Sequence, residues 1–206
     1  MIEEALSNLR LINDLEVLIP IALLAVILVA ISKSGFGGAL GSLGLPVMVL
    51  VFPPKLAIAI LLPLYLITDV FVAFTWRKFP VFKILKLMVL GGLIGQILGW
   101  LCFEYLDDSY ILILIGLLAL TTSIRYFKEI FRKDYFVKKT KKILELSYTR
   151  AIGWCGFSGF SSFVALTGGI PAQIFLLPLG LERQLFVGTM SFYFLIINLA
   201  KLPFFF

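Results

Sequence analysis

Long apolar runs alternate with short polar breaks along the chain, and the run lengths predict its elements. A helix rises about 1.5 Å per residue, so about 20 apolar residues cross the hydrocarbon of a bilayer. The first run, Val17 to Phe52, is nearly twice that long and holds one charge, Lys33. It predicts two elements, parted at the glycines that begin with Gly35. Leu56–Trp76 predicts one span, Ile84–Phe103 a second, and Tyr110–Ile124 a short third. Gly91, Gly95 and Gly99 recur every four residues and predict a small-residue face on which another helix lies closely. Arg125–Arg150 is basic and amphipathic and reads as a linker. Ala151–Leu166, Gly169–Leu181 and Leu185–Phe206 follow, the last carrying Lys201.

Composition turns these runs into membrane segments. Of the 206 residues, 61% are hydrophobic, and the mean hydropathy is +1.06. Soluble domains hold about 45–50% apolar residues, so one small core cannot hide this excess. The expected fold class is all-α, a polytopic transmembrane bundle. The net charge of +6 sits in loops rather than on one face, which excludes a nucleic-acid partner. Arg77, Lys78, Lys83, Lys86 and the linker mark the cytoplasmic side; the Glu104–Asp108 loop lacks basic residues and faces outward. The turn at Pro53-Pro54-Lys55 is then also outside. The N-terminus lies outside if both elements of the first run cross, and inside if the second is re-entrant. It has no cleavable-signal pattern, so the first run stays in the mature protein. Cys102 and Cys155 read as free thiols.

Two stretches resemble each other. "GFGG" at Gly35 is echoed by "GFSG" at Gly156, and "GLP" at Gly44–Pro46 by "GIP" at Gly169–Pro171. A further proline follows seven residues later in each, Pro53 and Pro178. Each copy then enters an apolar helix with a polar residue inside it, Asp69 or Asn198. The chain divides into an N-terminal segment (1–16), a first transmembrane repeat (17–124), the linker (125–150) and a second, incomplete repeat (151–206). By the repeat's logic about two helices are missing after Phe206; either the chain is truncated or a partner completes the bundle, and truncation is the favoured explanation. The plan suits transporters in which broken helices meet near the bilayer midplane, with the repeats inverted if both elements of the first run cross and parallel if one is re-entrant; the acidic N-terminus favours inversion.

The candidate chemistry lies at these breaks. "SGFGGALGSLGLP", Ser34–Pro46, fails as a dinucleotide fingerprint because Leu40 stands where the last glycine belongs. It also lacks the lysine-hydroxyl pair of a phosphate loop. In a bilayer, non-helical backbone persists only inside protein or along a wet cavity. Gly35, Gly37 and Gly38 let that backbone approach a ligand. The helix restarting at Pro46, like the one at Gly168-Gly169-Ile170-Pro171, offers free N–H groups to an anion. Ser34, Thr167 and Gln173 add polar groups, and Lys33 or Lys201 a positive charge. Asn198 and Lys201, three residues apart, share a helix face. An aspartate within a span is costly and points to function, so Asp69 is the candidate for coupling or gating, with protons as the coupling ion. No cofactor or metal is implied. Without histidine, and with no nucleophile–base pair or paired carboxylates at depth, enzyme chemistry has no support. A membrane scaffold or accessory subunit is the alternative to a transporter.

These residues resemble the TauE/SafE sulfite exporter family. "KSGFGGALGSLGLPVMVL" with "LAIAILLPLYLITDV" is similar to its first half, and the chain from Gly156 through Gly168–Pro171 and Leu176-Leu177-Pro178 to Asn198–Lys201 is similar to its second. The resemblance implies a multi-pass transporter of the bacterial inner membrane that moves small sulfur-containing anions such as sulfite or organosulfonates. Many members carry a histidine just before the second-half glycine pair and two prolines after it. Here Ala165-Leu166-Thr167 and Ile170-Pro171 stand there, which implies altered site chemistry.

Overall fold

The computed structural model describes residues 15–35, 44–103, 105, 107, 109–117, 120, 124 and 146–205. Most of the linker lies outside the described residues. The fold is all-α, a bundle of membrane helices. The elements are α1 (Leu15–Gly35), α2 (Gly44–Met48), α3 (Pro54–Thr75), α4 (Phe82–Phe103), α5 (residues 109–117), α6 (Tyr148–Ala165), α7 (Gly169–Leu176), α8 (Arg183–Leu199) and α9 (Leu202–Phe205). A 3₁₀ turn, Leu177–Leu179, extends α7. Among the described residues three segments are long and apolar enough to cross a membrane: Pro54–Thr75, Phe82–Phe103 and Arg183–Phe204. Pro54 starts α3, where the missing proline N–H costs nothing.

The most extensive packing joins α4 to α6, and glycine makes it possible. A Cβ at Gly95 would run into the carbonyl of Gly156, and one at Gly159 into the carbonyl of Gly92. At Gly99 it would lie 2.9 Å from Cβ of Phe163. The small-residue face expected of Gly91, Gly95 and Gly99 is thus filled by the backbone of α6 at Gly91 and Gly95, with the Cys155 side chain also at Gly91 and that of Phe163 over Gly99. Gly91 meets Ala151 and Cys155, Gly95 meets Gly156, and Gly99 meets Phe163, so α4 and α6 run parallel. Both cysteines are free thiols, Cys155 buried beside this seam.

The direction of α8 follows in the same way. Gly188 lies against Phe79, the Val81 N–H donates to Thr189 Oγ1 at 3.0 Å, and Gly92 meets Tyr193. The Gln96 amide donates to the carbonyl of Ile197 at 2.7 Å. α8 therefore runs parallel to α4, and antiparallel to α3, which joins α4 through the turn at 76–81. α7 folds back on α6: Ala172, Phe175 and Leu176 share an apolar cluster with Ala151, Cys155, Ile84 and Leu85. The α6–α7 hairpin starts and finishes at one end of α4. Arg77, Lys78, Lys83, Lys86, Arg150 and Arg183 all lie at that end by chain order.

Thr189 ties α8 to the segment that leads into α4. Its hydroxyl donates to the carbonyl of Leu185 at 2.7 Å while accepting from Val81. Thr189→Val is expected to lower stability by about 1–3 kcal/mol, two lost hydrogen bonds, and Thr189→Ser to restore it. Thermal unfolding in detergent checks both.

Candidate functional site

The second break comes from a helix that ends early. α6 stops at Ala165, and Leu166 takes left-handed geometry, φ 52° and ψ 22°. That conformation costs a leucine about 1–2 kcal/mol. Burial holds it there: Leu166 lies in one apolar cluster with Leu45 and Met48 of α2 and Tyr65 of α3. Thr167 is buried, and its hydroxyl donates to the carbonyl of Ser161 at 3.3 Å. α7 starts at Gly169, and Pro171 is its third residue, as Pro46 is of α2. Gly168 is required by close approach, since a Cβ would lie 2.6 Å from both the Ser158 carbonyl and Cβ of Ser162.

Beside this break stands a chain of buried polar groups. The Lys201 ammonium donates to the Ser162 carbonyl, to Ser162 Oγ and to Asn198 Oδ1, each at 2.8 Å. These supply one acceptor for each ammonium hydrogen. The Asn198 amide nitrogen donates to Asp69 Oδ2 at 2.6 Å. Asn198 is thus oriented by its neighbours, oxygen toward the cation and nitrogen toward the carboxylate. Lys201 is 0% exposed, Asn198 1%, Asp69 2% and Ser162 3%, so the chain is shut off from outside. An isolated ion at such depth costs several kcal/mol, which the opposite charge and the short hydrogen bonds offset.

Asp69 is the sixteenth residue of α3, and Asn198 the sixteenth of α8. The two helices run in opposite directions and touch at these corresponding positions. One turn before Asp69, Tyr65 carries the same face of α3 to the start of α2, where a Cβ at Gly44 would lie 3.1 Å from the tyrosine hydroxyl. α3 therefore links the beginning of α2 to the polar chain at the second break.

The candidate residues divide accordingly. Asp69, Asn198 and Lys201 are bonded into one chain, and Ser162 brings that chain against Gly168. Gly169 and Pro171 are buried at the start of α7, and Gln173 is half-buried within it. Pro46 is half-buried in α2, which packs on α1 and α3. Lys33, Ser34 and Gly35 close α1 along the backbone. Gly37 and Gly38 lie outside the described residues. Ser162 escaped the sequence reading, although "FSGFSSF" sets Ser158 and Ser162 four apart on one helix face. Hydroxyls in membrane helices often bond their own backbone, and Ser161 does so, donating to the Phe157 carbonyl at 2.8 Å. Among the described residues no group of three histidine, cysteine or acidic side chains is placed to hold a metal ion.

Residues 22–206, nearly the whole chain, match the family model described as Sulfite exporter TauE/SafE. The chain belongs to this family. As a TauE/SafE member it is a membrane transporter protein, with the bilayer as its surroundings and a small substrate. No curated protein and no solved structure matches it.

Proposed function

We propose that the chain is a multi-pass secondary transporter of the bacterial inner membrane. It carries a small sulfur oxyanion, sulfite or an organosulfonate, by alternating access. The observation that carries this reading is Lys201, a fully buried ammonium bonded to Ser162 beside the α6–α7 break and joined through Asn198 to Asp69. A cation at that depth attracts an anion strongly, because little water screens it.

In this reading Lys201 supplies the charge, and the backbone of Gly168–Pro171 with Thr167 and Gln173 supplies hydrogen bonds. Ser34, Gly35 and their neighbours act from the first break. The antiparallel α3 and α8, touching at matching positions, support inverted halves that meet at a central site. Asp69 couples transport to protons: it sits one amide away from Lys201, so its charge biases the ammonium.

Sulfite flux into proteoliposomes tests the reading. Asp69→Asn is expected to lose accumulation driven by a pH gradient and to keep sulfite–sulfite exchange. Intact gradient-driven accumulation removes Asp69 from coupling. No sulfite or sulfonate flux with the unaltered chain removes the substrate.

A further inference from the structure

A second buried hydrogen-bond chain reaches the break and serves neither Lys201 nor Asp69. Ser158 Oγ donates to the carbonyl of Gly168 at 2.6 Å, and the Tyr193 hydroxyl donates to Ser158 Oγ at 3.0 Å. The direction is fixed by inventory. A carbonyl only accepts and serine has one hydrogen, so Tyr193 must be the donor to serine. The tyrosine hydroxyl also lies 3.4 Å from the Cys155 carbonyl. Ser158 and Tyr193 are both 0% exposed.

The first turn of α7 needs this help. The helical bond onto the Gly168 carbonyl, from the Ala172 N–H, is long at 3.3 Å. Pro171 has no N–H to contribute. The peptide between Gly168 and Gly169 is flanked by glycines alone, so it is the peptide in the break that flips at least cost. Flipped, it would turn a carbonyl oxygen to the side its N–H now occupies. A trans peptide points its C=O and N–H in opposite directions.

We infer that Ser158 and Tyr193 are positioning residues for the α6–α7 break. They pin the Gly168 carbonyl back onto α6, so that the opposite side of the peptide presents its N–H. The dipole offered at the break then suits an anion, and the lock sets that preference. The inference rests on the anion-transport reading and adds to it the residues that fix the sign of the break.

Two measurements test it. Hydrogen exchange needs no transported anion: Ser158→Ala is expected to speed exchange of the first-turn amides of α7 about three- to tenfold, the span of one hydrogen bond. Unchanged exchange there overturns the lock whatever the protein carries. In proteoliposomes Ser158→Ala is expected to raise the half-saturating sulfite concentration by the same factor and to leave maximal flux intact. A merely structural role would lower maximal flux and leave half-saturation unmoved. Tyr193→Phe should have a smaller effect alone and none added to Ser158→Ala. Independent, additive effects overturn the chain order, and an unmoved half-saturation in Ser158→Ala overturns the role in preference.

Discussion

Gly95→Leu is expected to yield little folded protein. Its new Cβ would have to occupy the space of the Gly156 carbonyl, which is backbone and cannot rotate aside. Overpacking in a core usually costs about 1–3 kcal/mol when side chains can shift. Here the helices themselves must separate, and the most extensive interface in the bundle goes with them, so the cost lies beyond that range. Gly159→Leu should match it, since its Cβ would meet the Gly92 carbonyl from the other side. Gly153 in α6 is the control, with no described atom within 4 Å of its Cβ position. Gly153→Leu should be neutral or slightly stabilising, because leucine favours helix over glycine by up to about 1 kcal/mol. Monodispersity and thermal unfolding after detergent extraction separate the outcomes. A stable, monodisperse Gly95→Leu protein would falsify the close α4–α6 contact.

The second large effect concerns Lys201. Lys201→Met leaves the Asp69 carboxylate buried without the cation that stands one amide away. Breaking a buried charge pair in this manner costs about 3–5 kcal/mol. The double variant Asp69→Asn/Lys201→Met removes both charges and should regain most of that stability. Sulfite flux should fall about a hundredfold or more in both proteins, the factor that a charge contact worth about 3 kcal/mol sets. Recovery of stability without recovery of flux would separate the two roles of the ammonium. Flux near the unaltered rate in the double variant would remove Lys201 from the site.

Much of this was legible in the sequence because it depends on composition and spacing. The spans at Pro54–Thr75 and Phe82–Phe103 fall within a few residues of the predicted runs, since hydrocarbon thickness sets their length. The face of Gly91, Gly95 and Gly99 was legible because helical period alone aligns it. Asp69, Asn198 and Lys201 stood out as polar residues in apolar helices. That they bond to one another was not legible, because α3 and α8 are 129 residues apart at that contact. The end of α6 was legible to within a residue, since the run Ala151–Leu166 closes where the helix does, at Ala165 with Leu166 as its cap. The left-handed geometry of Leu166 was not legible, because tertiary burial there overrides a leucine's preference against it. Ser158 and Ser162 were hidden by a sound general rule about hydroxyls in membrane helices. Only the neighbouring Gly168 and Lys201 reveal their other bonds.

The glycine seam bears on how such a protein moves. α4 belongs by chain order to the first half and α6 to the second, yet their backbones touch along three turns. Any swing of one half of the sequence against the other would have to shear that contact, where at Gly95 and Gly159 backbone meets backbone with no side chain between to slide or repack. The most extensive packing in the fold therefore joins the two halves of the sequence. If the protein works by alternating access, α4 and α6 should travel as one plate, and the parts that slide should be those held to it by side chains alone. A cross-link between α4 and α6 would leave such a motion free, whereas one between α3 and α8 would stop it.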